Sequence, residues 1–303
     1  MKNIQNPIIK LREYLNQEDY NAIATLQNIC LDNDKTALKL ELDYKLASSD
    51  ESVEAIGNIN EFMYFDEHNL VGYIGVGSFG GTSLEVNGMV HPNYRRQGIF
   101  QKLYQLVKEE WSKRSIKSML LLSDRNSESG QAFIKTTGAS YKHSEYEMYL
   151  HKNEDTSFTE KIVEDIIFRK ATNDDAKEVA WQNSIYFESD YDQTNMIMPE
   201  EEEKRGMSIF IVENTDGIIG KVHLQLINGL GGIYGLGVLP EHRSKGYGRK
   251  ILLKGIETLE TMKADSIMLQ VEAQNSNALN LYKSCGFVET STMDYFELGG
   301  NRK

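Results

Sequence analysis

The sequence predicts an α/β (α+β) protein made of two like domains in tandem, each a mixed, mostly antiparallel sheet flanked by helices. Three observations carry this expectation. The chain has 303 residues, 40% of them hydrophobic, enough for a packed core in each of two domains. Shifting the sequence by 148 residues aligns its halves without a gap from about residue 58: Phe62 falls on Phe210, Gly72 on Gly220, Pro92 on Pro240, Arg95 on Arg243, Gly98 on Gly246 and Gly138 on Gly286. Glycines and prolines stand where backbone geometry demands them, so their common offset marks a repeated fold. In both halves, segments that read as strands are interleaved with segments of 3.6-residue period, the pattern of sheets covered by helices.

In the first half, residues 8–11 read as a short strand and 17–30 as a helix with Ala22, Ile23, Leu26 and Ile29 inward. Polar, helix-prone sequence continues to about residue 56. Residues 62–65 and 70–78 form a hairpin, 83–90 a strand, 98–111 a helix, 118–123 a strand, 129–136 a helix and 145–150 a closing strand. The polar stretch 151–165 reads as a linker, which sets the domains at 1–150 and 166–303. The second half repeats the order: strand 166–169, helix 174–184, hairpin 209–212 with 218–227, then a strand ending near Val238. Helix 249–260 follows, with Ile251, Leu252, Ile256 and Leu259 on one face, then strand 266–271, helix 276–284 and strand 295–298. The acidic run at 199–205 starts a helix at a proline, where glutamates meet the positive end of the helix dipole, and reads as a solvated face.

The stretch GLGVLPEHRSKGYG (235–248) concentrates the chemistry. A strand runs to Val238, Pro240 removes a donor and ends the ladder, and a glycine turn leads directly into a helix. The first N–H groups of that helix have no acceptor within it and lie at its positive end, an anion cradle. Gly246 and Gly248 let a diphosphate approach the backbone, and Arg243 and Lys245 add charge beside it. The spacing Arg-x-x-Gly-x-Gly fits neither the Walker loop nor the dinucleotide fingerprint.

Together with NSNALNLYKSCGF (275–287) and FRKATNDDAKEVA (168–180), this stretch resembles the GNAT superfamily of acetyl-CoA-dependent N-acetyltransferases over residues 166–298. The resemblance implies that Leu236, Gly237, Val238, Arg243, Ser244, Lys245, Gly246, Tyr247, Gly248 and Asn275 bind acetyl-CoA, the acyl donor. It also implies that Tyr282 is the general acid toward the departing CoA thiolate. Val90, Arg95, Arg96, Gln97 and Gly98 form a candidate second cofactor site in the first domain. There, however, Ile134 stands for Tyr282, Phe100 for Gly248 and Ser127 for Asn275, so the second domain is expected to be catalytic and the first not.

An alkyl ammonium near pKa 10 is neutral about once in a thousand molecules at pH 7, so attack on the thioester needs a proton acceptor. In the family this is often a glutamate on the strand before the turn, and residues 227–239 contain none. Glu85 lies on the matching strand of the first domain, where it reads as part of a solvated face; Tyr234, His223 and Glu272 remain for a proton path. Phe187, Asp190, Tyr191 and Asp192 fall where the family's acceptor pocket is bordered. The thioester is already activated, so no metal is called for, and a strand N–H at 236–238 is placed to polarise its carbonyl.

Net charge of −12 disfavours a nucleic-acid partner. No apolar run reaches the roughly 18 residues of a membrane span, and the N-terminus lacks a signal-peptide core, so the expected location is the cytoplasm. Two cysteines without paired spacing suggest neither a disulfide framework nor a zinc site. The expectation is an N-acetyltransferase acting on an unidentified amine, as monomer or homodimer; the alternative is a catalytically degenerate CoA-binding sensor or scaffold.

Overall fold

The computed structural model describes residues 2–47, 57–77, 83–151, 166–187 and 196–299. The chain divides into two units, one of Met1–Glu145 with Ser291–Lys303 and the other of Tyr146–Thr290. This differs at both ends from a division at 1–150 and 166–303: the boundaries fall inside two long strands, so each unit takes a strand segment from the other half's sequence. The expected linker lies, apart from His151, outside the described residues.

Unit 1 runs β1 (Pro7–Arg12), α1 (Gln17–Asp34), α2 (Leu42–Ala47), β2 (Glu61–Asp66), β3 (Asn69–Gly77), β4 (Ser83–Val90), α3 (Ile99–Trp111), β5 (Ser118–Asp124), α4 (Glu128–Lys135) and the start of β6 (Ser140–Leu150). Unit 2 runs from the end of β6 through β7 (Ile167–Lys170), α5 (Ala176–Tyr186), α6 (Pro199–Lys204), β8 (Met207–Asn214), β9 (Gly217–Ile227), β10 (Leu230–Val238), α7 (Tyr247–Thr261), β11 (Ser266–Glu272) and α8 (Ser276–Ser284) into β12 (Phe287–Gly299). In unit 1 the strands lie in the order β1-β2-β3-β4-β5-β12-β6, and in unit 2 in the order β12-β6-β11-β10-β9-β8-β7. Most pairs are antiparallel; β4 with β5 and β10 with β11 are parallel, because a helix crosses over between them. The sheets are thus mixed and mostly antiparallel, as the sequence predicts.

The helical periods hold where packing enforces them. Ile251, Leu252 and Leu259 of α7 are fully buried against β9 and β10, each burial contributing about 1.5–3 kcal/mol. In α1 the inward face is Ile23, Leu26 and Cys30; Ile29, expected inward, is 39% exposed because the stripe advances by four residues rather than three at that turn. Glutamates of α6 pair with Lys204 and Arg205 three residues on, as on a solvated helix. No described helix is long and apolar enough to cross a membrane.

Two features of the sheets prepare a site. The parallel pairing stops early in both units, at Val86 with Leu121 and at Ile233 with Leu269, although all four strands continue. Beyond that point β4 and β10 have backbone groups without a ladder partner on one side. In unit 2 alone the strand bearing this edge is also bulged: β10 has one extra residue against β9 between Tyr234 and Gly237, and Gly235 takes φ +52. The β3–β4 register has no such irregularity.

Candidate active site

At the end of β10 the turn is built as its sequence requires. Pro240 opens a single 3-10 turn, Ser244 (φ 60) and Gly246 (φ 90) take left-handed conformations, and α7 begins at Tyr247. Its first hydrogen bond runs from Lys250 N to Gly246 O, which leaves the N–H groups of Tyr247, Gly248 and Arg249 without helical acceptors. A Cβ added at Gly248 would meet only Leu281 at 3.4 Å and Val238 at 3.8 Å, so packing does not demand a glycine and its absent side chain leaves approach room. Arg243 Nε donates to Val238 O at 3.0 Å, which fixes the side chain along the strand end; its two terminal nitrogens meet no carboxylate among the described residues.

Unit 1 repeats this turn, with Arg96 (φ 62), Gly98 (φ 78) and Arg95 Nε donating to Val90 O at 3.0 Å. The difference lies in what holds the guanidinium. Asp34, the last residue of α1, accepts from Arg95 Nη1 at 2.8 Å and Nη2 at 2.5 Å. The arginine holds the Asp34 carboxyl below the usual carboxylate range. The cation that would meet an incoming phosphate is already neutralised by the fold. A cavity of about 380 Å³ opens beside this pair, lined by Val90, Arg95, Gly98, Phe100 and Tyr104 among others.

On α8, Tyr282 is 8% exposed and packs edge-on to Phe287. Burial pushes its phenol up to about 12. Proton transfer from it to a thiolate whose acid is near 8.5 is uphill by about 5 kcal/mol. A phenol held this way can donate a hydrogen bond to a thiolate but would give up its proton only late.

The profile of the acetyltransferase (GNAT) family matches residues 23–138 and 173–287, one stretch in each unit. The chain belongs to this family. Among relatives of known name it is 27% identical to a mycothiol acetyltransferase of Renibacterium salmoninarum over 214 residues, covering 66% of this chain and 62% of that protein. It is 24% identical to one of Kineococcus radiotolerans over 251 residues, 78% of this chain and 80% of the other. Among solved structures, a GCN5-related N-acetyltransferase from Sphaerobacter thermophilus superposes with a TM-score of 0.72 at 17% identity, over 97% of this chain and 95% of that one. A tandem GNAT protein from the clavulanic acid biosynthesis pathway gives 0.72 at 13% identity, over 98% and 100%. These structural likenesses establish a shared fold.

Against this GNAT frame, the residues singled out from the sequence have different surroundings. Leu236, Gly237 and Val238 form the edge past the bulge, and Arg243, Ser244, Lys245, Gly246 and Gly248 the turn. Tyr247 turns its side chain into the core, where its hydroxyl accepts from Asn214 at 3.1 Å, so its backbone alone belongs to the cradle. Asn275 spends its side-chain oxygen capping α8 through Ala278 N, as Ser127 caps α4 through Gly130 N. Gln97 reaches Lys2 O. Glu272 is exposed and Tyr234 donates to Met268 Sδ. Glu85 departs from a solvated face: one carboxylate oxygen is buried without a partner, and burial raises its pKa. Phe187 is 62% exposed, while Asp190, Tyr191 and Asp192 lie outside the described residues.

Two groups escaped the sequence reading. Asp34 carries no motif, and only the fold brings it to Arg95 across 61 positions. Lys221 sits in GKVHLQL, a strand with period-two alternation in which no motif marks it. Lys221 and His223 lie beneath α5, cross-strand from Ile211 and Ile209. The unbroken apolar run of β8 was the available signal that this face is covered too.

Proposed function

We propose that the chain transfers an acetyl group from acetyl-CoA directly to a primary amine, with donor binding and chemistry in unit 2 and unit 1 in a non-catalytic role. The observation that carries this is the contrast between the two turns: among the described residues Arg243 meets Val238 O and no carboxylate, whereas Arg95 is neutralised by Asp34. The bulged edge of β10 and Tyr282 fall in the same unit as Arg243. The relatives named mycothiol acetyltransferases support acyl transfer as the reaction class. In this reading the diphosphate sits on the N–H groups of the α7 start with Arg243 and Lys245, and Gly98 and Gly246 mark the two cradles.

The thioester lies along the open edge at 236–238, where a strand N–H polarises its carbonyl. The amine attacks, the C–S bond breaks, and Tyr282 donates a hydrogen bond to the departing sulfur. The cavity beside Arg95 favours a second reading for unit 1 alone, a structural or acceptor-side ligand site. Calorimetric titration with acetyl-CoA, repeated on Gly246→Trp and Gly98→Trp, tests the assignment. One site per chain, lost only in Gly246→Trp, is the expected result. A wild-type chain that binds no acetyl-CoA refutes it.

A further inference from the structure

The reading above lacks a proton acceptor for the attacking amine, and unit 2 contains a buried basic pair beside the bulge. Lys221 of β9 has no exposed surface. Its Nζ lies 3.0 Å from His223 Nε2 and 3.2 Å from Gly235 O, the left-handed residue of the bulge. The Tyr186 ring of α5 covers it, with its centroid 5.4 Å from Nζ. The other groups on this face are Ile209 and Ile211 from β8 and Tyr234 from β10, cross-strand from His223. Behind Tyr186, its hydroxyl is taken by Gln182, which in turn binds Glu178. Among the described residues no carboxylate pairs with Lys221.

A lysine in this position is unusual: among the described residues it is the one buried lysine or arginine, and the partly buried Lys39, Lys45 and Arg114 each pair with a carboxylate. Lys45 in unit 1, for example, meets Glu61 at 3.0 Å. At the position equivalent to Lys221 unit 1 has Tyr73, whose hydroxyl bonds Glu61 and closes the site with an internally satisfied network. Unit 2 leaves a base there. Burial brings the Lys221 ammonium down to about 7, and burial together with the Lys221 charge pushes His223 well below the usual imidazole range.

We propose that His223 and Lys221 form a two-member proton relay serving acyl transfer in unit 2, a role that rests on the acetyltransferase reading above. His223, the half-buried member, takes the proton released by the attacking nitrogen at Nδ1 and passes the proton on Nε2 to Lys221 Nζ. The new N–H bond on Nδ1 replaces the one lost from Nε2, so the imidazole stays neutral overall and only its tautomer changes. The charge finishes on Lys221, where Gly235 O and the Tyr186 face receive the ammonium. Return of the proton to solvent through His223 resets the pair. The relay supplies what the missing strand glutamate would have supplied, from the neighbouring strand.

The test uses the full chain as wild type, Lys221→Met and His223→Gln, read by three measurements in parallel. Lysine Nζ resonances in ¹⁵N-labelled protein are followed against pH, with Lys221→Met identifying the signal. Acetyl-CoA binding is measured by calorimetry, and CoA thiol release is measured with spermidine, glucosamine and tyramine as acceptors. We expect one resonance titrating near 7 and absent from Lys221→Met. We expect the acid limb of kcat in the wild type to follow that titration. Lys221→Met and His223→Gln are expected to bind acetyl-CoA as the wild type does, yet turn over about 10²–10³-fold more slowly without that limb. A Lys221 resonance that stays protonated through pH 9 overturns the relay. So does a Lys221→Met variant that turns over within threefold of the wild type with an unchanged pH profile. A wild type that neither binds acetyl-CoA nor acetylates an amine removes the acetyltransferase reading itself, and is recognised because no variant is involved.

Discussion

Replacing Lys221 by methionine is expected to stabilise unit 2 at neutral pH and to leave it nearly unchanged at alkaline pH. The chain keeps similar volume while the buried amine is lost. An ordinary lysine titrates near 10.5 and burial brings Lys221 to about 7. Each pH unit of that interval is worth about 1.4 kcal/mol, so forcing the ammonium into this site costs up to about 5 kcal/mol below pH 7. The sign follows from proton counts. Between pH 7 and 10.5 the unfolded chain binds the proton and the folded one does not, so wild-type stability rises with pH through that window and levels off on either side. The methionine variant has no such slope. The chain contains two tryptophans, Trp111 and Trp181, and Trp181 stands on α5. In a Trp111→Phe background, urea unfolding followed by Trp181 fluorescence therefore reports unit 2. The stability difference between variant and wild type should shrink by several kcal/mol from pH 7 to pH 10. A difference that is constant across this range would falsify the claim that the fold holds Lys221 neutral.

Other perturbations address the two turns and the open edge. Asp34→Asn should free Arg95 and raise acetyl-CoA affinity at the first turn about 10-fold or more, seen by calorimetry as a second site; an unchanged isotherm would mean that Asp34 does not mask the cation. Tyr282→Phe should slow thiol release about 10²-fold with acetyl-CoA affinity intact, and the wild type should show no alkaline limb from this phenol below pH 11, because burial lifts it to about 12. Gly237→Ala would drive a Cβ into the Tyr186 ring and should destabilise unit 2 by about 1–3 kcal/mol in thermal melts, whereas Gly248→Ala meets only ordinary contacts and should be near neutral.

The sequence disclosed the parts of the fold that depend on local rules. Turn glycines and prolines held a common offset because each copy needs the same backbone angles there, and β5 and β11, at 118–124 and 266–272, obey that offset to the residue. Helix α8 began where Asn275 could cap it. What stayed hidden depends on which layer covers which strand face. Period-two alternation divides residues between two faces without saying that both are buried, so nothing in it marks Lys221 as covered by α5. The Arg95–Asp34 pair was illegible for another reason: the motif around Arg95 is intact, and the carboxylate that silences it arrives from the far end of α1. The bulge in β10 left only a glycine as its trace, in a strand that has several.

The division of the units also constrains how the protein is made and how it has been kept. Residues 291–299, the outer part of β12, belong to unit 1 and pair with β5 there. During synthesis the edge of β5 therefore waits, uncovered, until residues 291–299 have left the ribosome, and folding of unit 1 is completed only after the sequence of unit 2 has been made. A gene cut between the two halves would yield two fragments, each missing a sheet segment. Loss of either copy is then a folding defect, which explains how a unit whose arginine is paired with Asp34 can persist beside one whose arginine meets no described carboxylate.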